Sequence, residues 1–296
     1  TYLAELDGGR SRARPELSWQ EGAAAVLRLD AGGALGLVAG RLAGSRAVHL
    51  ARTHGVGAVS VVNSNHFGPA SCYSLEMARH DVLGLALTNS DALVAPHNGT
   101  RPLFGTNPLS LAVRGLGDDL FCADLATSQV SYSRVKLNRE RGEPLLPGWA
   151  VGEGGVDAAA AGAGEATALK PLGGHKGQCL GMMVSILCCL LAGAPFDHEL
   201  SHLYAGPWDE PRQVAHLFVA LDLAAFGEPT ALRGRLSSLH ALVRSQPAAP
   251  GEQVVAPGDL ERAVSAVRQG RGIPLDPEEW ERWTAIAHEA GQEGLS

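Results

Sequence analysis

Aromatic residues are scarce, with Phe, Trp and Tyr together making up 5% of the 296 residues. Positive charge is also in short supply. Lys and Arg number 24 against 31 Asp and Glu, a formal net charge of -7. An acidic chain with a pI near 5.9 offers no electrostatic attraction to nucleic acid or to an anionic membrane. Cysteine is limited to five scattered positions, 72, 122, 179, 188 and 189, with no CxxC pair. An odd, irregular set excludes a disulfide framework and suits a reducing cytoplasm. Long apolar runs are missing too. The best membrane candidate, Leu180–Phe196, is interrupted by Gly181, Ser185, Gly193 and Pro195, and it falls short of the roughly 20 apolar residues a span needs. The first residues, TYLAELDGGRSRARPELSW, contain no apolar stretch of the signal-peptide kind.

What is present is an ordinary globular balance of 45% hydrophobic and 19% charged residues, which excludes disordered, collagen-like and coiled-coil classes. Glycine is abundant at 37, so many tight turns and close backbone approaches are expected. The length fits two domains or one large α/β unit. Helical apolar spacing over Leu37–His54 stops at Gly55, a natural C-terminal cap. Short β-rich runs follow at Ala58–Val62, Leu83–Thr88, Leu109–Val113, Leu120–Leu125 and His216–Leu221, with a helix at Ser71–His80 opened by Gly68-Pro69. The Gly/Ala-rich stretch 152–168 reads as a flexible loop. Gln178–Ala192 is apolar all round and predicts a buried helix. Ala231–Arg244, Asp259–Gln269 and Pro277–Ala290 are three amphipathic helical patterns. Strands mixed with helices, and no internal repeat, give a mixed α/β protein.

His198-Glu199-Leu200-Ser201-His202 spells H-E-x-x-H, which on a helix puts two imidazoles on one face for zinc, with the Glu as general base. Pro195 and Pro207 leave little room for that helix, and Ala205 and Trp208 stand where extended versions want Gly and His. A surface turn with solvated histidines is the preferred reading, and a zinc hydrolase is the remote alternative. The glycines Gly55 and Gly57 lie between a helix and the following strand, the reverse of a Rossmann phosphate turn. Neither a P-loop nor a G-x-S-x-G elbow occurs.

Three segments resist a purely structural explanation. Asn63–Gly68 is a polar cluster at a strand end before a helix, where anionic ligands are held and a His can trade protons. Gly105-Thr106-Asn107-Pro108 is a turn that can present hydrogen bonds. Lys170–Gly177 places glycines and a cation at the start of the most apolar helix, an arrangement suited to phosphate.

Taken in order, SNHFG (64–68), GTNP (105–108), DLATS (124–128), PGWA (147–150), PLGGHKG (171–177) and PGDLE (257–261) resemble the malate/L-lactate dehydrogenase family of the non-Rossmann type, over nearly the whole chain. The resemblance implies a mixed sheet flanked by helices, hydride transfer between NAD or NADP and a small 2-hydroxy or 2-oxo acid, and a homodimer. It implies a cofactor- and substrate-binding domain over 51–221, with residues 1–50 and 222–296 forming a discontinuous helical, dimerisation part. Carried over residue by residue, His66, Phe67, Gly68, Pro69 and Ala70 would line the cofactor, with His66 a catalytic candidate for proton transfer. Asp124, Leu125 and Ala126 would run along the dinucleotide, Lys176 would reach its phosphate or ribose, and Pro257 and Gly258 would form a late cofactor contact. Thr106, with Tyr132 and Ser133, would face the substrate. No metal is implied.

Members also carry an Asp-x-x-Ser-His-Gly segment and a following Arg just before the part matching Tyr2–Gly9, as usual proton donor and carboxylate anchor. The sequence in hand starts after them. The expectation is therefore a fragment, a trimmed product, or a protein that has lost that chemistry and would act as a cofactor-binding dimer without turnover. After DLATS, imine-reducing relatives tend to carry Ala-His-Gly-Asp, whereas Ser131-Tyr132-Ser133-Arg134 stand here, which favours the hydroxy-acid members.

Overall fold

The apolar pattern after residue 36 ends where a residue without a side chain is needed. Gly55 has a φ of 82°, and its N–H returns to the Ala51 carbonyl, which closes helix α2 (Gly36–His54). In the computed structural model, which describes residues 1–160 and 166–291, α2 follows α1 (Tyr2–Gly8), β1 (Ser18–Glu21) and β2 (Val26–Asp30). The chain continues through β3 (Val56–Ser64), α3 (Ser71–Ala78), β4 (Val82–Thr88), β5 (Leu109–Arg114), β6 (Leu120–Leu125) and α4 (Tyr132–Glu140). Short strands β7 (Ala150–Val151) and β8 (Ala168–Leu169) precede α5 (His175–Ser185). Strand β9 (Val214–Asp222) and helices α6 (Leu223–Phe226), α7 (Pro229–Arg244), α8 (Asp259–Arg271) and α9 (Pro277–Glu289) complete the described chain.

Seven strands form one mixed sheet in the order β1-β2-β3-β9-β4-β5-β6. Only β2 with β3 is parallel, and the other pairs are antiparallel. Strands β1 and β2, drawn from residues 1–50, are outer members of the same sheet that carries β3 to β6. The central strands are buried on both faces because their sequences, VGAVSVVNS and VAHLFVALD, are nearly continuous apolar runs. On one face, Ala39, Ala43 and Ala47 of α2 pack with Val59, Val61, Phe218, Tyr73 and Met77. The approach is close: a Cβ on Gly57 would lie 2.1 Å from the Ala47 carbonyl oxygen. On the other face, Val184, Cys188, Cys189 and Ala192 meet Val62, Leu87 and Leu217.

The helix expected to be buried over Gln178–Ala192 is buried on that face alone. It starts at His175 and runs into a π turn over Ile186–Leu190. Met183, Leu190 and Leu191 are 55%, 61% and 64% exposed. Its uniform apolarity therefore reflects two faces, of which the sheet covers one. The H-E-x-x-H segment is not an α-helix either. Asp197–Glu199 form a single 3₁₀ turn, and Leu200 is extended at φ -83° and ψ 139°, so His198 and His202 do not share a helix face. The stretch 152–168 lies partly outside the described residues. Within them, Glu153–Gly155 form a 3₁₀ turn and Val151 bridges Asp157. Among the described residues no helix is long and apolar enough to cross a membrane.

Helices α7 and α8 are tied to the β5–β6 hairpin through charge. Asp119 takes His240 Nδ1 at 3.0 Å and Arg244 Nη2 at 2.8 Å, and Arg244 also grips Asp259 at 2.7 and 2.9 Å. Burial alone would raise the Asp119 carboxyl, but hydrogen bonds from Arg244, His240 and Ser237 outweigh it and hold the group down to about 2. A carboxyl depressed in the folded state stabilises above its unfolded value, near 3.9, and that contribution is lost as pH falls towards the folded value. Thermal melts should therefore lose midpoint between pH 4 and 2. In Asp119→Asn the midpoint should be lower at neutral pH and flatter across that window. Identical slopes for the two proteins would exclude this clamp as the acid-sensitive element.

Candidate active site

Strand β3 ends in a forced turn that aims its last residues. Asn63 sits in the left-handed region at φ 51°, and its Nδ2 donates to Asp30 Oδ2 at 2.9 Å. Buried Asn65 donates to the Gly33 and Ala34 carbonyls at 3.2 and 3.1 Å, which locks the strand end against the start of α2. His66 follows, its Nδ1 2.7 Å from the Tyr2 hydroxyl with the two rings stacked at 5.9 Å. Phe67 is buried between His216, stacked at 4.7 Å with the rings almost parallel, and Tyr73 at 5.0 Å. Gly68 takes φ 73°, which delivers Pro69 and Ala70 to the start of α3. There Ser71 N donates to Asp124 Oδ2 at 2.8 Å. The contact joins the segment 66–70 to the end of β6, where Leu125 is half exposed.

Pro257 and Gly258 lie along that same strand. The Pro257 carbonyl accepts from Cys122 N at 3.5 Å, and Gly258, at φ 100°, sits so close that a Cβ would be 2.7 Å from the Leu120 carbonyl. Thr106 is drawn to the segment after β6, since its carbonyl accepts from Thr127 N at 2.8 Å and from the Thr127 hydroxyl at 3.0 Å. Its own hydroxyl lies 3.3 Å from the Ser90 hydroxyl. The PLGG loop docks on this segment as well, with Leu172 N donating to the Thr127 carbonyl at 2.9 Å and Gly173 N to Gln129 Oε1 at 3.2 Å. Lys176 is exposed in the first turn of α5, where N–H groups have no intrahelical acceptor. Lys170 Nζ holds Asp157 Oδ2 at 2.7 Å, and Asp157 also accepts from Gly148 N at 2.8 Å, so PGWA is tied to PLGG.

Tyr132 opens α4, packed against Tyr204 and His202 with ring centroids at 5.8 Å from each. Ser133 is exposed at the next position. Tyr132 thereby points to residues that motif reasoning passed over. Asp91 is buried, with His202 Nδ1 at 3.0 Å from one oxygen and Arg212 Nη2 at 2.5 Å from the other. Burial works to raise Asp91, but the His202 hydrogen bond and the Arg212 charge outweigh it and lower its pKa. Asp197 is likewise buried, and it accepts from Gly105 N, Asn107 Nδ2 and Ser185 Oγ at 3.0, 2.8 and 2.9 Å, which fixes the GTNP turn. Burial raises Asp197 despite those donors. Asp91 and Arg212 are 121 residues apart in the chain, and neither carries a local pattern that marks it.

The electrostatics bear on the charge of His66. Burial, then the Arg212 charge, lower it to about 4 against the pull of Asp91, so it is neutral at pH 7. Burial, Glu5 and Tyr204 raise Tyr2 against Arg212, which keeps its hydroxyl protonated and able to donate to Nδ1. With Tyr2 as the donor, the hydrogen of neutral His66 would be on Nε2.

Lys176 at the open first turn of α5 and the positive-φ glycines of the adjoining loop fit a phosphate-bearing group in their donor chemistry. The malate/L-lactate dehydrogenase profile matches residues 1–283. The (2R)-3-sulfolactate dehydrogenase (NADP(+)) of Chromohalobacter salexigens is 33% identical over 93% of this chain and 79% of its own length. The ureidoglycolate dehydrogenase (NAD(+)) of Escherichia coli K12 is 30% identical over 90% of this chain and 76% of its own. The malate dehydrogenase structure from Pyrococcus horikoshii OT3 superposes with a TM-score of 0.87 at 29% identity, covering 99% of this chain and 82% of that one. The chain belongs to the malate/L-lactate dehydrogenase family.

Proposed function

We propose that this protein is an NAD(P)-dependent oxidoreductase that moves a hydride between nicotinamide and a small 2-hydroxy or 2-oxo acid. The observation that carries it is the joining of four distant segments, 66–70, 105–108, 124–128 and 171–177, through Ser71–Asp124, Thr106–Thr127 and Leu172–Thr127. The bound nicotinamide would supply or accept the hydride. His66 to Ala70 and Asp124 to Ala126 would line its binding surface, Lys176 would hold a phosphate, and Pro257 with Gly258 would close the far edge. Neutral His66 would hydrogen-bond the oxygen on which charge builds during reduction. Thr106 and Tyr132 would orient the acid, with Ser133 beside them on α4.

The same reading includes a cytoplasmic homodimer. Exposed Leu190 and Leu191 after α5, Leu260 and Val267 on α8, and Trp283 on α9 are apolar surfaces that a second copy would cover. Titration of the protein with NADH and NADPH, by heat or cofactor fluorescence, should give saturable binding at one per subunit, and sedimentation should give twice the 30.8 kDa chain mass. A panel of 2-oxo acids should then oxidise the bound cofactor. Absence of binding to either nucleotide would refute the assignment, and binding without turnover would make the protein a cofactor-binding shell.

A further inference from the structure

The turn that carries Thr106 hangs on the loop and helix that carry Lys176 by two separate routes. The first runs through the backbone after β6. Leu172 N, in the glycine loop ahead of α5, donates to the Thr127 carbonyl at 2.9 Å, and Thr127 N and its hydroxyl donate to the Thr106 carbonyl at 2.8 and 3.0 Å. The second runs through α5 itself. Asn107 Nδ2 donates to the Gly181 carbonyl at 3.1 Å and to the Ser185 hydroxyl at 2.9 Å, while Asn107 Oδ1 accepts from Ser90 N at 3.1 Å. Asn107 and Ser185 are buried, so water does not stand in for these bonds. Helix and segment also approach closely, since a Cβ on Gly181 would lie 3.1 Å from the Thr127 hydroxyl.

Helix α5 has an exposed head and a fixed foot. Lys176 is exposed in its first turn, next to N–H groups that have no intrahelical acceptor. Ser185 is its last residue, and the π turn follows at once, with Cys188 and Cys189 locked against Leu87 and Leu217 of the sheet. Along the axis Lys176 and Ser185 are roughly 14 Å apart, at about 1.5 Å per residue. A hydrogen-bonded helix of this length moves as a unit. A shift of its head is therefore felt at the Gly181 carbonyl and the Ser185 hydroxyl, where Asn107 is held.

We propose that dinucleotide and acid bind cooperatively through α5, with Asn107 and Ser185 as the residues that position Thr106 according to where the head of the helix sits. The proposal rests on the oxidoreductase reading above. A phosphate held by Lys176 and the first-turn N–H groups fixes the head of α5. The Gly181 carbonyl and the Ser185 hydroxyl carry that position to Asn107, and Asn107 sets the neighbouring Thr106 against the acid. Linkage makes the effect reciprocal: an acid seated at Thr106 tightens the nucleotide by the same factor. Neither Asn107 nor Ser185 touches the reacting atoms in this scheme.

The test uses the full chain and ADP-ribose, which carries both phosphates but no nicotinamide ring for the acid to touch. Calorimetry would give the Kd of the unreactive acids oxamate, oxalate and malonate with and without saturating ADP-ribose. In the wild type at least one acid should bind about fivefold or more tightly when ADP-ribose is present, and ADP-ribose should tighten equally when that acid is present. In Ser185→Ala, which deletes one buried hydroxyl, the factor should fall about twofold or more, while ADP-ribose alone stays within about threefold of wild type. In Asn107→Gly, which removes the side chain but still accepts φ 37°, the factor should approach unity. Circular dichroism melts identify a variant that fails to fold, and Ser185→Ala decides where Asn107→Gly does not fold or has lost the acid. Acids that bind equally with and without ADP-ribose, or not at all, overturn the proposal and leave the oxidoreductase reading intact. A wild-type factor that persists in both folded variants overturns it too, because the coupling would then bypass α5. Binding of NADH or NADPH without binding of ADP-ribose does the same, since the phosphates would give the helix nothing to transmit. Failure of the wild type to bind any of the three nucleotides removes both readings together.

Discussion

Asp197→Ala should destabilise the protein by about 1–3 kcal/mol, because it removes the acceptor shared by three buried donors and strands one of them, Gly105 N, while Asn107 and Ser185 fall back on the Gly181 carbonyl. The donors are Gly105 N, Asn107 Nδ2 and Ser185 Oγ, and all converge on the single oxygen Oδ2. The other oxygen, Oδ1, is buried without a hydrogen-bond partner. That asymmetry makes Asp197→Asn the informative companion. An amide can leave its oxygen facing the three donors and put its NH₂ where no partner stood, so the loss should be well under that of Ala. The functional consequence follows from geometry. Asn107 is held at φ 37°, a left-handed conformation, by its side chain's bonds to Asp197, Ser185, the Gly181 carbonyl and Ser90 N. When the anchor goes, the turn relaxes and Thr106 leaves Thr127 and Ser90. Urea unfolding should show the lower midpoint for Ala, and assays should show KM for the 2-oxo acid rising in parallel. Equal stability of Ala and Asn variants would mean that the carboxylate does not organise the turn.

The parts of the fold that were legible are those set by neighbouring residues. Gly55 as a C-cap, the run Leu120–Leu125 as a strand, and Pro257-Gly258 ahead of Asp259 as a helix start all depend on local backbone preference and are found as expected. Strand β1, by contrast, is SWQE, with every residue exposed at the sheet edge, so it lacks the alternation that burial would write into it. The apolar run of α5 was legible as a helix but not as one with an uncovered side, because periodicity is lost when a second apolar face is added. Motif order located the segments that converge on Thr127 and Asp124. It was silent on Asp91 and Arg212, since a buried ion pair between loops leaves no spacing to read. The charge state of His66 is a tertiary property too: it comes from burial and from Arg212 in the loop just before β9, the strand paired with β3.

Gly36→Ala should lower turnover by about 100-fold or more, a loss of the size that an ångström-scale misplacement of a reacting group produces. Gly36 is the first residue of α2, and a Cβ there would lie 2.2 Å from the Asn65 carbonyl oxygen and 2.6 Å from the backbone carbonyl of His66. These are backbone atoms, so no side-chain rotation relieves the clash. Either α2 shifts away from the sheet, against the packing of Ala39, Ala43 and Ala47, or the strand end moves and takes His66 off the Tyr2 hydroxyl. Both outcomes lower the melting midpoint, and the second also lifts the constraint on the His66 ring. Gly44→Ala, two turns along the same helix, separates this from a general intolerance of α2. Its added methyl would meet Met77 at 3.6 Å, an ordinary contact, and replacing a helical glycine contributes up to about 1 kcal/mol. Melting curves should therefore move in opposite directions for the two substitutions, with kcat lost only in Gly36→Ala. Equal kcat for both variants would show that the start of α2 does not set the position of His66.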